Sequence, residues 1–181
     1  PLAPINPYGC AKAFATQMVS VYRRSFGIFG CNGIMFNHES PRRGENFVTR
    51  KICRAAAAIK LGHQSELLLG DTTSQRDWGH ARDYVRAMWL MLQEDEPDDY
   101  VIATGEQHTV REFAEVAFAH VGLDYRDYVK IDQQLMRPSE VETLLGDASK
   151  ARQKLGWSYD GKFTDLVHEM VEEDLRLVGH R

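Results

Sequence analysis

The sequence predicts an α/β fold, because strand-like segments alternate with segments of helical periodicity along its 181 residues. The strand-like segments are apolar runs at 28–36, 67–69 and 100–103. Polar segments at 37–46 and 71–78 follow the first two runs and are predicted to be loops. Ligands of open α/β sheets bind at the carboxyl ends of strands, so the polar segments are the first places to look for a site.

Helical periodicity is clear in six segments, and four of them end at a glycine. Thr109 and Glu112 form a capping box at the start of the fourth helix, and Asp147 can cap the fifth. The six predicted helices are 7–26, 47–61, 81–93, 110–121, 147–155 and 163–175. No repeat or low-complexity segment interrupts the alternation.

Composition excludes several classes of protein. The chain is 43% hydrophobic and 27% charged, as in ordinary globular domains, and no apolar run approaches the roughly 20 residues that span a bilayer. The N-terminus lacks the basic and apolar order of a secretion signal, so we expect a cytoplasmic protein without membrane contact. A net charge of −4 argues against nucleic-acid binding. Cys10, Cys31 and Cys53 fit reduced structural thiols better than disulfides or metal ligands, and we predict no metal.

Three glycines, Gly27, Gly30 and Gly33, have a spacing that could be mistaken for a dinucleotide-binding fingerprint. They run from a predicted helix into a predicted strand, whereas pyrophosphate binding needs a strand that delivers a glycine turn onto a helix N-terminus. We therefore expect the phosphate loop to lie outside this sequence. Because the chain enters its first helix soon after Pro1, we expect it to be part of a longer protein.

Tyr8 and Lys12 are four residues apart on the first predicted helix and therefore share one face. The lysine ammonium can favour the ionised form of the phenol, which would make Tyr8 a base near neutral pH. The spacing alone is weak evidence, since an exposed helical pair of this kind also arises by chance. Longer motifs elsewhere in the chain carry more weight.

Those motifs are similar to the extended short-chain dehydrogenase/reductase superfamily and, within it, to the GDP-mannose 4,6-dehydratase family. The resemblance covers nearly the whole chain. It includes NHESPRRG at 37–44, FVTRK at 47–51, RDWGHA at 76–81, IATGE at 102–106, RPSEV at 137–141 and LGW at 155–157. It implies the last part of a Rossmann-type doubly wound parallel sheet with a smaller α/β substrate-binding domain, the amino-terminal half being absent. The sheet elements would be about 1–36 and 81–103, and the substrate-domain elements about 37–80 and 104–181.

The chemistry that the resemblance implies is an internal redox cycle on GDP-mannose with NADP as cofactor. Tyr8, assisted by Lys12, would take the hydroxyl proton at sugar carbon 4, and loss of water across carbons 5 and 6 would give GDP-4-keto-6-deoxymannose. Both residues would also contact the cofactor. The family's assisting Ser or Thr and its acid/base Glu lie upstream of the matched segment, so we expect the fragment alone to be inactive.

The resemblance also implies binding residues. His38 and Arg43 match positions that contact NADP, and Arg42 is expected to share that role, because a guanidinium donates paired hydrogen bonds to phosphate oxygens. The arginine loop of the family can reach a neighbouring subunit's cofactor, so we expect a homo-oligomer, either a dimer or a tetramer. The positions implied for the GDP moiety are Asn37, Val48, Lys51, Gly70, Arg76, Arg137 and Glu140. Glu140 would accept hydrogen bonds from guanine or a ribose.

Two alternatives stay open from sequence. One is a related nucleotide-sugar epimerase or 4-ketoreductase, which would keep Tyr8 and Lys12 and differ in the upstream residues. The other is a non-catalytic nucleotide-sugar binding module. The chain departs from many family members in a short connection between Val121 and Arg137 and in Met136, which leaves the rim of the sugar-nucleotide pocket uncertain. Other arginines, namely Arg50, Arg54 and Arg82, are interpreted as surface charges.

Overall fold

A computed structural model describes residues 2–136 and 141–180. Helices and strands alternate along the chain, which confirms the predicted α/β class. The helices are α1 (Pro7–Phe26), α2 (Val48–Lys60), α3 (Ala81–Met91), α4 (Val110–His120), α5 (Tyr125–Tyr128), α6 (Ser149–Leu155) and α7 (Phe163–Gly179), and a 3-10 turn spans Gln133–Leu135. The strands are β1 (Asn32–Met35), β2 (Asn37–Glu39), β3 (Leu67–Leu69), β4 (Gln75–Arg76), β5 (Trp78–His80), β6 (Asp99–Ile102), β7 (His108–Thr109) and β8 (Val129–Ile131).

The strands of the described residues form four pairs. Three are parallel, namely β1 with β6, β2 with β5 and β3 with β8, and β4 pairs with β7 in the antiparallel sense. Parallel partners end at the same edge, so the carboxyl ends of β1 and β6 lie side by side. Only Phe36 separates the end of β1 from the start of β2, and β2 therefore begins at this edge.

Helix α1 begins and ends where the sequence predicts. The Asn6 side chain accepts a hydrogen bond from the Gly9 N–H at 2.8 Å, and Pro7 occupies the first helical position. Gly27 closes the helix with a φ of +64°, in the left-handed region that favours glycine. Local signals of this kind are enough to define the element before any packing is considered.

Contacts near the C-terminus of α1 set its direction relative to the sheet. The Arg23 Nε donates to the Gly30 carbonyl at 2.8 Å, and the Arg23 guanidinium pairs with Asp99 at the start of β6. The Asn32 amide donates to the Thr16 carbonyl at 3.1 Å. The second half of α1 thus lies beside the beginnings of β1 and β6. Its first turn must point toward the edge where these strands end.

Buried apolar side chains form two clusters. The first joins α3, β6 and α6 and contains Tyr84 and Trp157. The second is larger and joins α2, α4 and α7 around Ile52, Phe113 and Met170. In both, helices present the apolar stripe that their periodicity predicts.

Two predicted loops are partly wrong. Residues 37–39 and 78–80 pair with each other as β2 and β5, and residues 75–76 form β4. In the described part of the chain, no helix combines the length and the apolar character that crossing a membrane requires. Among residues 2–136 and 141–180, no group of three or more His, Cys, Asp or Glu side chains could hold a metal ion.

Candidate active site

Tyr8 and Lys12 lie on the first turns of α1, with the lysine ammonium 5.8 Å from the centre of the tyrosine ring. Tyr8 is 72% exposed. It lies fifteen positions before Arg23, which is about 22 Å along a helix that rises about 1.5 Å per residue. Because Arg23 lies beside the start of β6, the Tyr8 end of α1 lies toward the carboxyl edge of β1 and β6. Tyr8 and Lys12 therefore lie at the end of α1 that is nearer the edge where β2 begins.

Strand β2 places Asn37 and His38 at this edge. Asn37 lies opposite Trp78 and His38 opposite Gly79 in the β2–β5 pair. The His38 Nδ1 is 2.9 Å from the Phe36 carbonyl, and because a carbonyl only accepts, this bond assigns the proton to Nδ1. In the neutral form of the ring, the Nε2 atom is then an acceptor.

Arg42 and Arg43 lie in the segment that follows β2. Arg42 is exposed, and its backbone N–H donates to the Ser40 hydroxyl at 3.1 Å. The Arg43 guanidinium lies 3.6 Å from the centre of the Phe47 ring, and its Nε is 3.1 Å from the Glu39 carboxylate. This Nε is buried and has no aligned hydrogen bond to any described residue.

Glu39 contacts Arg43 and is only 2% exposed. Its Oε2 accepts a hydrogen bond from the Thr49 hydroxyl of α2 at 2.8 Å. Burial raises the pKa of this carboxyl group from 4.5 to about 7, against the opposing effects of the Arg43 charge and the Thr49 hydrogen bond. A half-titrated acid near neutral pH thus lies next to the predicted cofactor residues.

The interpretation of Arg50 as a surface charge is wrong. The residue is 5% exposed and pairs with the fully buried Asp174 of α7. A sequence signal existed: Arg50 precedes buried Cys53 by one helical turn, and Asp174 lies one turn after buried Met170. A charge on the apolar stripe of each of two helices indicates a buried pair.

Val48 and Lys51 open helix α2. Val48 is the first helical residue and is 37% exposed, while the Lys51 ammonium donates to the Leu68 carbonyl at 2.6 Å. Lys51 also lines a surface cavity of about 280 Å³, together with residues including Glu45, Arg54 and Gln64. Arg54, also interpreted from sequence as a surface charge, is half-buried and pairs with Glu45 at 2.5 Å.

Gly70 has a steric reason to be glycine. A Cβ atom at this position would lie 2.7 Å from the Leu135 carbonyl oxygen and 3.3 Å from the Met136 nitrogen, which are backbone atoms that cannot turn aside. The glycine therefore lets the 3-10 turn Gln133–Leu135 close over the end of β3. Arg137 and Glu140 come two and five positions after Leu135 and lie outside the described residues.

Arg76 lies in β4, opposite His108 of β7, and donates to the Gln75 carbonyl at 2.7 Å. The next residue, Asp77, is fully buried and was not singled out from sequence. Its carboxylate accepts hydrogen bonds from the Thr104 backbone and hydroxyl at 2.8 Å and from two further backbone N–H groups. Asp77 thus ties the Arg76 segment to the residues that follow β6.

The structure accordingly brings together Asn37, His38 and the Arg76 segment through the β2–β5 pair. Glu39 and Thr49 connect the 42–43 segment to α2, which carries Val48 and Lys51. Tyr8 and Lys12 approach the same edge from α1.

Comparison with known proteins decides the family. The family model described as GDP-mannose 4,6 dehydratase matches residues 1–170. The chain belongs to that family. GDP-mannose 4,6 dehydratase 2 of Arabidopsis thaliana is 57% identical over 177 residues, which are 98% of this chain and 48% of that protein. The Homo sapiens relative is 49% identical over 195 residues, with 98% of this chain and 52% of that protein covered. The chain thus spans about half the length of these relatives.

Solved structures show the same fold. RMD from Pseudomonas aeruginosa, complexed with NADPH, matches with a TM-score of 0.86 at 21% identity, over 97% of this chain and 57% of that one. A dTDP-glucose 4,6-dehydratase from Streptomyces venezuelae, with NAD and TYD bound, gives 0.85 at 23% identity, over 99% and 54%. These likenesses confirm the predicted Rossmann-type fold.

Proposed function

We propose that this chain is the carboxyl-terminal half of an NADP-dependent GDP-mannose 4,6-dehydratase, which forms GDP-4-keto-6-deoxymannose. The observation that carries the proposal is the family match over residues 1–170. Family membership favours dehydration over the epimerase and 4-ketoreductase alternatives. The placement of Tyr8 and Lys12 toward the strand edge supports a catalytic role for both residues.

Tyr8 acts in this proposal as the base that takes the hydroxyl proton at sugar carbon 4. Lys12, on the same helix face, stabilises the anionic phenolate and contacts the cofactor, as Tyr8 also does. A bound NADP would supply reversible hydride transfer, from sugar carbon 4 and back to carbon 6.

The arginines of the segment after β2 fit a cofactor that carries phosphates. Arg42 is exposed, and Arg43 is partly exposed, with its Nε turned toward the Glu39 carboxylate. Guanidinium groups donate in pairs to phosphate oxygens, which matches NADP. His38 would complete the cofactor contacts through its free ring nitrogen.

The GDP moiety is assigned to the other end of the same surface. Lys51 and Arg76, with Arg137, would balance the diphosphate, since a desolvated diphosphate needs paired cations. Glu140 would accept hydrogen bonds from guanine or a ribose. Asn37, Val48 and Gly70 complete the proposed substrate set, Gly70 by letting the segment before Arg137 close.

The wider assignments are also proposals. The sheet elements at 1–36 and 81–103 and the substrate-domain elements at 37–80 and 104–181 would combine with an upstream half in a cytoplasmic homo-oligomer. The similarity to proteins about twice as long supports the upstream half.

The test uses the full-length protein that carries this chain, with Tyr8→Phe and, as a matched control, Tyr22→Phe on the same helix. We expect the wild-type protein to convert GDP-mannose to a 4-keto-6-deoxy product, detected by mass spectrometry as loss of one water. Tyr8→Phe should lower kcat about 10²-fold to 10⁴-fold and leave GDP binding intact, while Tyr22→Phe should leave kcat unchanged. Epimerisation without loss of water, or full activity of Tyr8→Phe, would refute the proposal.

A further inference from the structure

The segment 40–46, called the arginine loop below, accepts hydrogen bonds from one buried side chain, that of Arg50. Arg50 of α2 donates through Nε to the Asp174 carboxylate at 2.9 Å. The other arm of the same guanidinium donates to the Arg43 carbonyl at 3.1 Å and to the Pro41 carbonyl. Arg50 therefore connects helix α7 to the backbone on both sides of Arg42.

Stability alone does not account for this arrangement. Arg50 and Asp174 are 5% and 0% exposed, and removing such a pair of charges from water has a large desolvation cost. Apolar side chains of similar volume commonly give equal or greater stability at such sites. They could not, however, donate to two loop carbonyls. What the Arg50 guanidinium contributes and an apolar side chain cannot is the set of hydrogen bonds to the arginine loop.

The hydrogen bonds from Arg50 reach the segment that carries Arg42 and Arg43, which the proposed function assigns to NADP. The bonded carbonyls fix the peptide planes Pro41–Arg42 and Arg43–Gly44, which enclose Arg42 and Arg43. The Arg43 side chain is then set by the Phe47 ring and by Glu39. Binding is strengthened when a loop is already ordered, because less conformational entropy is lost on association.

We propose that Arg50 and Asp174 are positioning residues that hold the arginine loop in the conformation that binds the phosphate groups of the cofactor. This inference rests on the proposed function of Arg42 and Arg43. Neither residue touches the cofactor; both act through the loop backbone. A planar guanidinium can reach Asp174 and two carbonyls in different directions at once, whereas a lysine ammonium is a single point charge.

The experiment compares variants of the full-length protein in NADP titrations, steady-state kinetics and hydrogen–deuterium exchange. Arg50→Lys should raise the NADP dissociation constant roughly tenfold, with kcat at saturating NADP and GDP-mannose within about twofold of wild type. Exchange should accelerate at the arginine-loop amides, including the Arg43 N–H that donates to Ser40 at 2.9 Å. Asp174→Asn keeps the shape of the pair and should raise the NADP dissociation constant by a smaller factor. If Arg50→Lys does not fold, Asp174→Asn is the variant that tests the proposal.

Two controls separate positioning from general loss of stability. Val167→Ala removes buried volume in the same α2–α7 cluster, and Arg176→Lys alters an exposed ion pair on α7. Both should leave NADP affinity within about twofold of wild type. Absence of NADP binding by the wild-type protein would overturn the proposed function, and this inference with it. Wild-type binding that Arg50→Lys and Asp174→Asn leave unchanged, or that Val167→Ala weakens equally, would overturn the inference alone.

Discussion

Glu39 gives stability a pH dependence, because its carboxyl group is buried beside one arginine. Burial raises its pKa from 4.5 to about 7 in the folded state, so the folded protein binds this proton more tightly than the unfolded chain does. The stability that the protonated group contributes is therefore complete below about pH 4.5 and is lost as pH rises through about 7. The full shift corresponds to roughly 3 kcal/mol at most.

Glu39→Gln removes this titration and tests the prediction. In urea unfolding between pH 4.5 and 8, the wild-type protein should lose stability relative to Glu39→Gln by about 1–3 kcal/mol as pH rises. Glu106→Gln is the control, since Glu106 is 74% exposed at its side chain and should give a difference that stays flat. A flat difference for Glu39→Gln as well would show that its folded pKa is ordinary.

The residues proposed to carry chemistry come from sequence motifs, whereas a residue that supports them is visible only in the structure. Tyr8, Lys12, His38, Arg42 and Arg43 were predicted from motifs, and their roles stay predictions. Arg50 was misread as a surface charge, because its burial depends on Asp174, which lies 124 positions away along the chain. A motif describes residues that share a short segment, whereas a buried ion pair depends on how two distant helices pack.

At the scale of elements, local signals predicted the helices better than the strands. Asn6 and Gly27 mark the two ends of α1 at the predicted positions, and Thr109 with Glu112 forms the capping box of α4 as expected. Strand β2 was missed, because its residues are polar and only its pairing with β5 makes it a strand. A helix satisfies its backbone within one segment, but a strand needs a partner that the sequence does not name.

Gly70 supplies a prediction about the joint between β3 and the turn Gln133–Leu135. Gly70→Ala places a methyl group 2.7 Å from the Leu135 carbonyl oxygen, so the turn and the segment that enters Arg137 must shift. We expect a loss of stability of about 1–3 kcal/mol and weaker GDP binding by calorimetry in the full-length protein. Gly30→Ala is the control, because its new methyl group lies 3.2 Å from the Val19 side chain and meets backbone, the Ile28 carbonyl oxygen, only at 4.0 Å. GDP affinity of Gly70→Ala equal to that of Gly30→Ala would contradict this account.

The whole molecule keeps two helix faces apolar and exposed. Helix α1, all of whose residues are described, has none buried. One side of α3 and its C-cap carry Val85, Met88, Trp89 and Leu92, all at least 52% exposed. Contiguous apolar surface of this kind marks contact with other protein, and the relatives are about twice as long as this chain. We therefore expect the upstream half or a neighbouring subunit to cover α3.

Trp89 tests this expectation, because it is 60% exposed while Trp78 and Trp157 are 3% and 1% exposed. Acrylamide should quench Trp89 readily in the isolated 181-residue chain, and the difference between wild type and Trp89→Phe isolates its signal from the other two tryptophans. In the full-length protein the same difference should show a quenching constant at least about threefold lower, because a covered indole is shielded from a solute. A Trp89 signal quenched equally in both forms would show that α3 faces solvent in the full-length protein.

The isolated 181-residue chain should fail to retain NADP or to act on GDP-mannose, since the phosphate loop and the upstream acid are expected outside it. Activity of the isolated chain would refute its assignment as half of a dehydratase.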